Sequence, residues 1–428
     1  MALPVTLRGS SASSSALLQF ATIGSVDDGK STLIGRLLHD SRAIADDQLA
    51  ALEQASRRRG RDGVDLSLLT DGLRAEREQG ITIDVAYRYF ATPRRTFVIA
   101  DTPGHVQYTR NTVTGCTTAD LAVVLVDARR GVSEQTRRHV VIAALLRVPH
   151  LVVAVNKMDL VGWDESVFGS IRAEVVTLAA QLGIPDAAAI PISALRGDNV
   201  VARSDAMPWY EGPALLGHLE SLELGAGHDL SRVRLPVQMV LRDPADPDYR
   251  AYAGRIESGI LRPGDPVVAL PSGISTNVRS IDTFGGPLAE AFPPLSIAVR
   301  LADAVDLGRG GLIAGAADAP RARHELTATV CWLGDEPLRE GRRYWLHHTT
   351  RAVRAIVVSI DHRLDVATLE RDDAAGELRS NDIGRARLRL AGPVFSDTFA
   401  TSRATGSAIL IDEATNATVA AVLVEGER

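Results

Sequence analysis

The stretch "GSVDDGKS", residues 24–31, ends one apolar run and opens a helix-length amphipathic one. A G-x-x-x-x-G-K-[ST] pattern in that setting reads as a phosphate-cradling P-loop, because backbone N–H groups and a helix N-terminus converge on one point. Such a loop confines the fold to an α/β sheet whose ligands gather at the C-terminal ends of the strands. The chain up to about residue 225 obeys this. Apolar runs at 17–24, 96–101, 121–128, 151–156 and 187–193 alternate with predicted helices at 30–39, 105–116, 134–147, 165–182 and 213–222. That is the pattern of a mostly parallel, doubly wound sheet covered on both faces.

Beyond that point the pattern shortens to two-residue alternation broken by Pro-Gly, Gly-Asp and Gly-Gly, as in "LRPGDPVVAL", with a second such set from 323 to 425. Two consecutive all-β barrels are the economical reading. The expected organisation is a disordered tail over 1–18, a P-loop domain over 19–224, and barrels over 225–318 and 319–428.

A net charge of −6 weighs against a dedicated nucleic-acid binder. The two cysteines suit a reducing compartment, no run is long enough to span a bilayer, and a cytoplasmic location is expected. Only two of the 47 basic residues are lysines, Lys30 and Lys157, and both fall in loops that end strands. A compact ammonium on a flexible stem does there what a planar guanidinium cannot.

Four stretches carry the chemistry. In the P-loop, the backbone of Gly24, Ser25, Val26, Asp27, Asp28 and Gly29 cradles phosphates, Lys30 bridges the β- and γ-phosphates, and Ser31, followed by Thr32, offers a hydroxyl to Mg²⁺. The Asp27 and Asp28 side chains are expected to face away. Asp27 has two readings, a further metal ligand or a solvent-facing loop carboxylate. In "DTPGH", Asp101 at a strand end holds Mg²⁺ through its water shell, Gly104 brings its N–H to the γ-phosphate, and His105 projects toward the attacking water. Taken alone, His105 would read as a capping or core histidine; its four predecessors favour the water-positioning role.

In "NKMD", Asp159 accepts from guanine N1 and N2, Asn156 ties this loop to the P-loop, and Lys157 lays its stem over the base. Adenine offers Asp159 no matching donor pair. "SAL", Ser193, Ala194 and Leu195, places the Ala194 N–H against guanine O6. The ligands expected are therefore GTP and Mg²⁺. The polar connection from 40 to 84 is too long to be idle and reads as a mobile functional loop. Within it Thr82 is the candidate to reach Mg²⁺ and the γ-phosphate, and Ile81 with Val26 forms either an apolar gate near His105 or ordinary packing.

These motifs in this order, followed by two β domains, resemble the translational GTPases of the elongation factor Tu type. The runs 71–111, 127–139, 344–353, 381–390 and 405–421 are similar to the GTPase subunit of bacterial sulfate adenylyltransferase. The resemblance implies coupling of GTP hydrolysis to formation of adenosine 5'-phosphosulfate and pyrophosphate from ATP and sulfate. A small partner subunit would perform the adenylyl transfer, with no nucleic-acid or membrane partner. Apart from the P-loop the chain shows no second phosphate-cradling motif, so ATP chemistry is assigned to that partner. Some relatives carry a fused adenylylsulfate kinase; with the last residue at Arg428 that activity is not expected. The competing readings are an elongation factor-like tRNA carrier and a stand-alone regulatory GTPase.

Overall fold

The computed structural model describes residues 17–44, 46–58, 64–69, 84–105, 108–184, 186–223, 229–243 and 246–426. The chain divides into two compact units, Met1–Leu224 and Gly225–Arg428. Among the described residues no helix is long and apolar enough to cross a membrane.

In the first unit the strands are β1 (Leu18–Gly24), β2 (Ala86–Ala91), β3 (Thr96–Asp101), β4 (Leu121–Asp127), β5 (His150–Asn156) and β6 (Asp186–Pro191). They form one sheet in the order β2-β3-β1-β4-β5-β6. Only the β2–β3 pair is antiparallel. Every residue of β4 is buried, as befits a strand covered on both faces. Helices α1 (Lys30–Asp40), α2 (Asp46–Arg58), α3 (Thr109–Thr117), α4 (Glu134–Leu145), α5 (Glu165–Gln181) and α6 (Leu215–Ser221) accompany the sheet. Leu33, Ile34 and Leu37 of α1 join Phe20, Phe97, Val123 and Leu219 in one apolar cluster. Parallel order places the ends of β1, β3, β4 and β5 side by side, so the loops carrying the motifs gather at one edge.

The structure adds elements that the sequence reading did not place, and one expectation falls largely outside the described residues. The connection expected as a mobile loop holds helix α2 and a 3₁₀ turn at Leu66–Leu69. That turn packs directly on α1, where a Cβ on Gly35 would meet the Leu66 carbonyl oxygen at 2.2 Å. Strand β2 escaped the reading because only Phe90 of its six residues is buried, as expected at a sheet edge; Phe90 stacks on Phe97 with centroids 4.6 Å apart. The tail expected over 1–18 lies outside the described residues up to residue 16, and Leu18 already opens β1.

The second unit holds two large antiparallel sheets. In the first, strands run in the order Arg234–Pro236, Leu312–Gly315, Pro266–Leu270, Ile274–Thr283, Ser296–Leu301, Asp246–Arg255 and Met239–Asp243, with Gly286–Pro287 pairing at the side. The Arg234 N–H donates to Ser258 O at 3.0 Å and the Glu257 N–H to Arg234 O at 2.9 Å, drawing the sheet's ends together. In the second, Arg343–His348, Ser407–Ile411, Thr418–Val424, Ala322–Trp332, Ile383–Phe395 and Arg351–Leu364 pair in turn, and the last pairs with the first. This is a closed six-stranded barrel, so the expected order of an α/β P-loop domain followed by all-β domains stands. Trp332, Leu346 and Leu388 lie in its core.

Between the sheets Arg234 is buried, with its guanidinium on both oxygens of Asp397 (2.9 and 3.0 Å) and on Asp318 Oδ1 (3.1 Å). Thr405 donates to Asp397 Oδ2 at 2.6 Å. A buried guanidinium is tolerated only when its donors are matched in this way.

Candidate nucleotide site

Strand β1 ends at Gly24, and the chain turns through Asp27 (φ 67) and Gly29 (φ 95), both left-handed, before α1 begins at Lys30. Alternating handedness turns successive N–H groups inward to make an anion-binding concavity. No side chain caps α1, so its first N–H groups keep their anion-facing role. Gly29 could carry no side chain, since a Cβ there would lie 2.4 Å from Asn156 Nδ2.

Lys30 is buried and its ammonium donates to Gly24 O (2.7 Å) and Ser25 O (3.2 Å). Burial pushes its pKa below the ordinary value, against the pull of Asp101, Asp28 and Asp27. Asp101 closes β3 fully buried. Gly104 lies directly over the lysine: a Cβ there would meet Lys30 Nζ at 2.4 Å and Gly24 O at 2.6 Å. Ser31 and Thr32 sit half-buried in the first turn of α1, and His105 is exposed with its ring centroid 6.1 Å from that of Tyr108. Thr82 and Ile81 lie outside the described residues; Val26 is half-buried.

Asp28 departs from expectation. Its side chain turns inward, where Oδ2 accepts the Ser25 N–H at 2.7 Å, and burial raises its pKa to about 6. Asp27 is exposed, as a loop carboxylate.

The base-side loops meet the P-loop through Asn156. Its buried amide donates to Asp28 O at 2.8 Å and accepts the Ala194 N–H at 2.9 Å. One side chain thus joins "GSVDDGKS", "NKMD" and "SAL". The Ala194 N–H, expected as a donor to guanine O6, is engaged by Asn156 Oδ1, whose strand end lies beside the Ile192 backbone that leads into this turn. Ser193 is buried and pairs with Asp198 across a short bridge. Asp159, half-buried, stands in the 3₁₀ turn Met158–Val161 after the left-handed Lys157 (φ 66). Leu195 is 69% exposed, an uncovered apolar side chain beside this polar pocket.

Asp127 and Arg129 escaped the sequence reading. Asp127 ends β4 next to Asn156 at the end of β5 and is buried. Its carboxylate accepts from Arg129 Nε (3.0 Å) and Nη2 (2.7 Å) and from Lys157 Nζ (2.9 Å). Burial alone would raise its pKa, but these bonds hold it well below the usual carboxylate range. A carboxylate closing a buried strand, as Asp101 closes β3, is the signal that could have found it.

The oxygen donors at this edge, the Ser31 hydroxyl and the Asp101 carboxylate, suit a hard cation such as Mg²⁺, which takes few protein ligands and shares phosphate oxygens. Gly104 approaches Lys30 and the Gly24 carbonyl so closely that only a glycine fits there, which brings its backbone against the phosphate loop. The residues present fit the ion.

Residues 15–237 match the family model of the elongation factor Tu GTP binding domain, and residues 325–425 match the GTP-eEF1A C-terminal domain-like model. A GTP-binding domain carries GTP, with Mg²⁺ as its usual ion. The chain is 57% identical to a bifunctional enzyme CysN/CysC of Mycobacterium tuberculosis, over 95% of this chain and 67% of that one. It is 50% identical to sulfate adenylyltransferase subunit 1 of Laribacter hongkongensis (95% and 85% covered) and 52% identical to that of Aeromonas hydrophila (96% and 86% covered). Identity at this level along nearly the whole chain, on a P-loop, "DTPGH", "NKMD" and "SAL" gathered at one sheet edge, places the protein in the sulfate adenylyltransferase subunit 1 family, the GTPase subunits of ATP sulfurylase within the elongation factor Tu-like superfamily.

Proposed function

We propose that the chain is the regulatory GTPase of a cytoplasmic sulfate-activating complex. GTP hydrolysis in its P-loop domain (19–224) drives a small partner subunit that forms adenosine 5'-phosphosulfate and pyrophosphate from ATP and sulfate. The two β domains, 225–318 and 319–428, complete the subunit. The observation that carries the nucleotide reading is the Asn156 bridge, which holds the phosphate loop and both base loops in one pocket.

In this reading the P-loop N–H groups and Lys30 hold the β- and γ-phosphates, the ammonium leaving the Gly24 and Ser25 carbonyls for phosphate oxygens. Asp159 accepts from guanine N1 and N2, between the Lys157 stem and the exposed Leu195. Mg²⁺, when bound, neutralises charge on the triphosphate, and Ser31, Asp101 and Thr82 are the residues that would hold it. Gly104 brings its N–H toward the γ-phosphate, and His105 orients the attacking water. On the closed barrel's outer face Arg385, Arg387 and Arg389 are matched by Glu425, Asp361 and Glu325 within 2.9 to 4.0 Å. A balanced face favours a protein partner over a phosphate backbone.

The test is co-expression with the neighbouring small-subunit candidate, assaying pyrophosphate release from ATP and sulfate with and without GTP. GTP-dependent release from a co-purifying pair is the expected result. Full activity without GTP, or no association, refutes the proposal.

A further inference from the structure

The Asp127 carboxylate sits beneath the base side of the site and belongs to none of the motifs that define it. Strands β4 and β5 are parallel and in register, so their last residues, Asp127 and Asn156, are neighbours and Lys157 follows within reach. Lys157 Nζ donates to Asp127 Oδ2 at 2.9 Å and also to the Asp27 carbonyl oxygen of the P-loop. The Asp127 side chain has no exposed surface, whereas that of Lys157 is 22% exposed. The lysine backbone is left-handed (φ 66), a conformation costly for a residue with a Cβ unless its surroundings hold it.

Arg129 grips both oxygens of the same carboxylate, with Nε on Oδ1 at 3.0 Å and Nη2 on Oδ2 at 2.7 Å, and its backbone N–H donates to Oδ1 at 3.0 Å. Arg129 also lies within the electrostatic reach of Asp159. Two consequences follow. The Lys157 ammonium is fixed at its tip, so its stem is presented as a rigid strip along one side of the base pocket. The Arg129 guanidinium is committed to Asp127, which leaves the Asp159 carboxylate for the base.

We infer that Asp127 is a positioning residue of the guanine site, anchoring Lys157 against the P-loop and thereby setting how long a guanine nucleotide stays bound. The inference rests on the guanine-nucleotide reading of the site. It goes beyond that reading by assigning part of the affinity to a buried carboxylate that never touches the nucleotide.

The experiment measures dissociation rate and affinity of a fluorescent GDP analogue for the full chain co-expressed with its small-subunit candidate. The variants are wild type, Asp127→Asn, Lys157→Met and the double variant. Loss of a charge-assisted hydrogen bond to a buried partner should speed dissociation about tenfold or more in Asp127→Asn, while single-turnover cleavage of bound GTP falls by less than about twofold. Because Asp127 acts through Lys157, adding Asp127→Asn to Lys157→Met should change dissociation by less than about twofold further. Independent, multiplying effects of the two substitutions, or an equal loss of binding and cleavage in Asp127→Asn, would overturn the inference. Should Asp127→Asn not fold, Lys157→Met decides: dissociation as slow as wild type refutes the anchor. If wild type itself binds no guanine nucleotide, the underlying reading fails instead.

Discussion

Replacing Asn156 by alanine attacks the one side chain that joins both halves of the nucleotide pocket. Two buried hydrogen bonds vanish, to Asp28 O and from the Ala194 N–H, at 2.8 and 2.9 Å. Asn156 and Ala194 are 2% and 1% exposed, so water does not reach the abandoned groups without rearrangement. An unsatisfied buried group costs about 1–3 kcal/mol, and two such groups sum to about 2–6 kcal/mol. For a unit of this size that corresponds to a fall in Tm of roughly 5–20 °C. Urea denaturation followed by circular dichroism measures the loss, and fluorescent GDP titration measures the accompanying fall in affinity. Asn156→Asp sharpens the test, because it keeps an acceptor for the Ala194 N–H but sets a second acceptor against the Asp28 carbonyl. That variant should be at least as unstable as the alanine one at neutral pH. It should recover as pH falls, since burial and the facing carbonyl raise its folded-state pKa and only the protonated carboxyl can donate. A loss below about 1 kcal/mol with unchanged GDP affinity would refute the bridge as the element that organises the pocket.

Asp159→Asn exchanges acceptor for donor, so preference should move from guanosine to xanthosine triphosphate in a competition assay; retained guanine preference would remove Asp159 from base recognition. His105→Ala should leave GTP bound and slow single-turnover hydrolysis by roughly two to four decades. Arg234→Met leaves Asp397 buried without its cation and should cost about 3–5 kcal/mol of stability by denaturant titration, most of it regained when Asp397 is also made apolar. For Asp28, burial raises the folded-state pKa to about 6, above the unfolded value, so the folded state holds the proton more tightly. Its contribution to stability is present below the unfolded value and is lost as pH rises through about 6, amounting to about 3 kcal/mol in all. The stability difference between Asp28→Asn and wild type should therefore widen up to that pH and flatten beyond it; a constant difference from pH 4 to 8 would contradict the assignment.

What the residue pattern determined by itself is the local part of this protein. Apolar runs of strand length alternating with amphipathic stretches dictate a parallel sheet, because only strands covered on both faces tolerate such continuity, and β1, β3, β4, β5 and β6 lie where those runs predicted. "GSVDDGKS" dictates its own loop, since the glycine at 29 permits the left-handed turn and the lysine that follows enters the cradle. Edge strand β2 and helix α2 carry weaker signals, one because an edge buries little and the other because it sits inside a polar connection.

Tertiary structure alone decided which buried polar groups meet. Asp127 and Lys157 are 30 residues apart and become partners through the register of β4 against β5. Arg234 and Asp397 are 163 residues apart, and no periodicity links them. The inward turn of Asp28 and the capture of the Ala194 N–H by Asn156 likewise depend on where a distant strand end comes to rest. Periodicity tells a residue whether it is buried; only the closed packing of remote elements supplies the partner that a buried charge or amide must have.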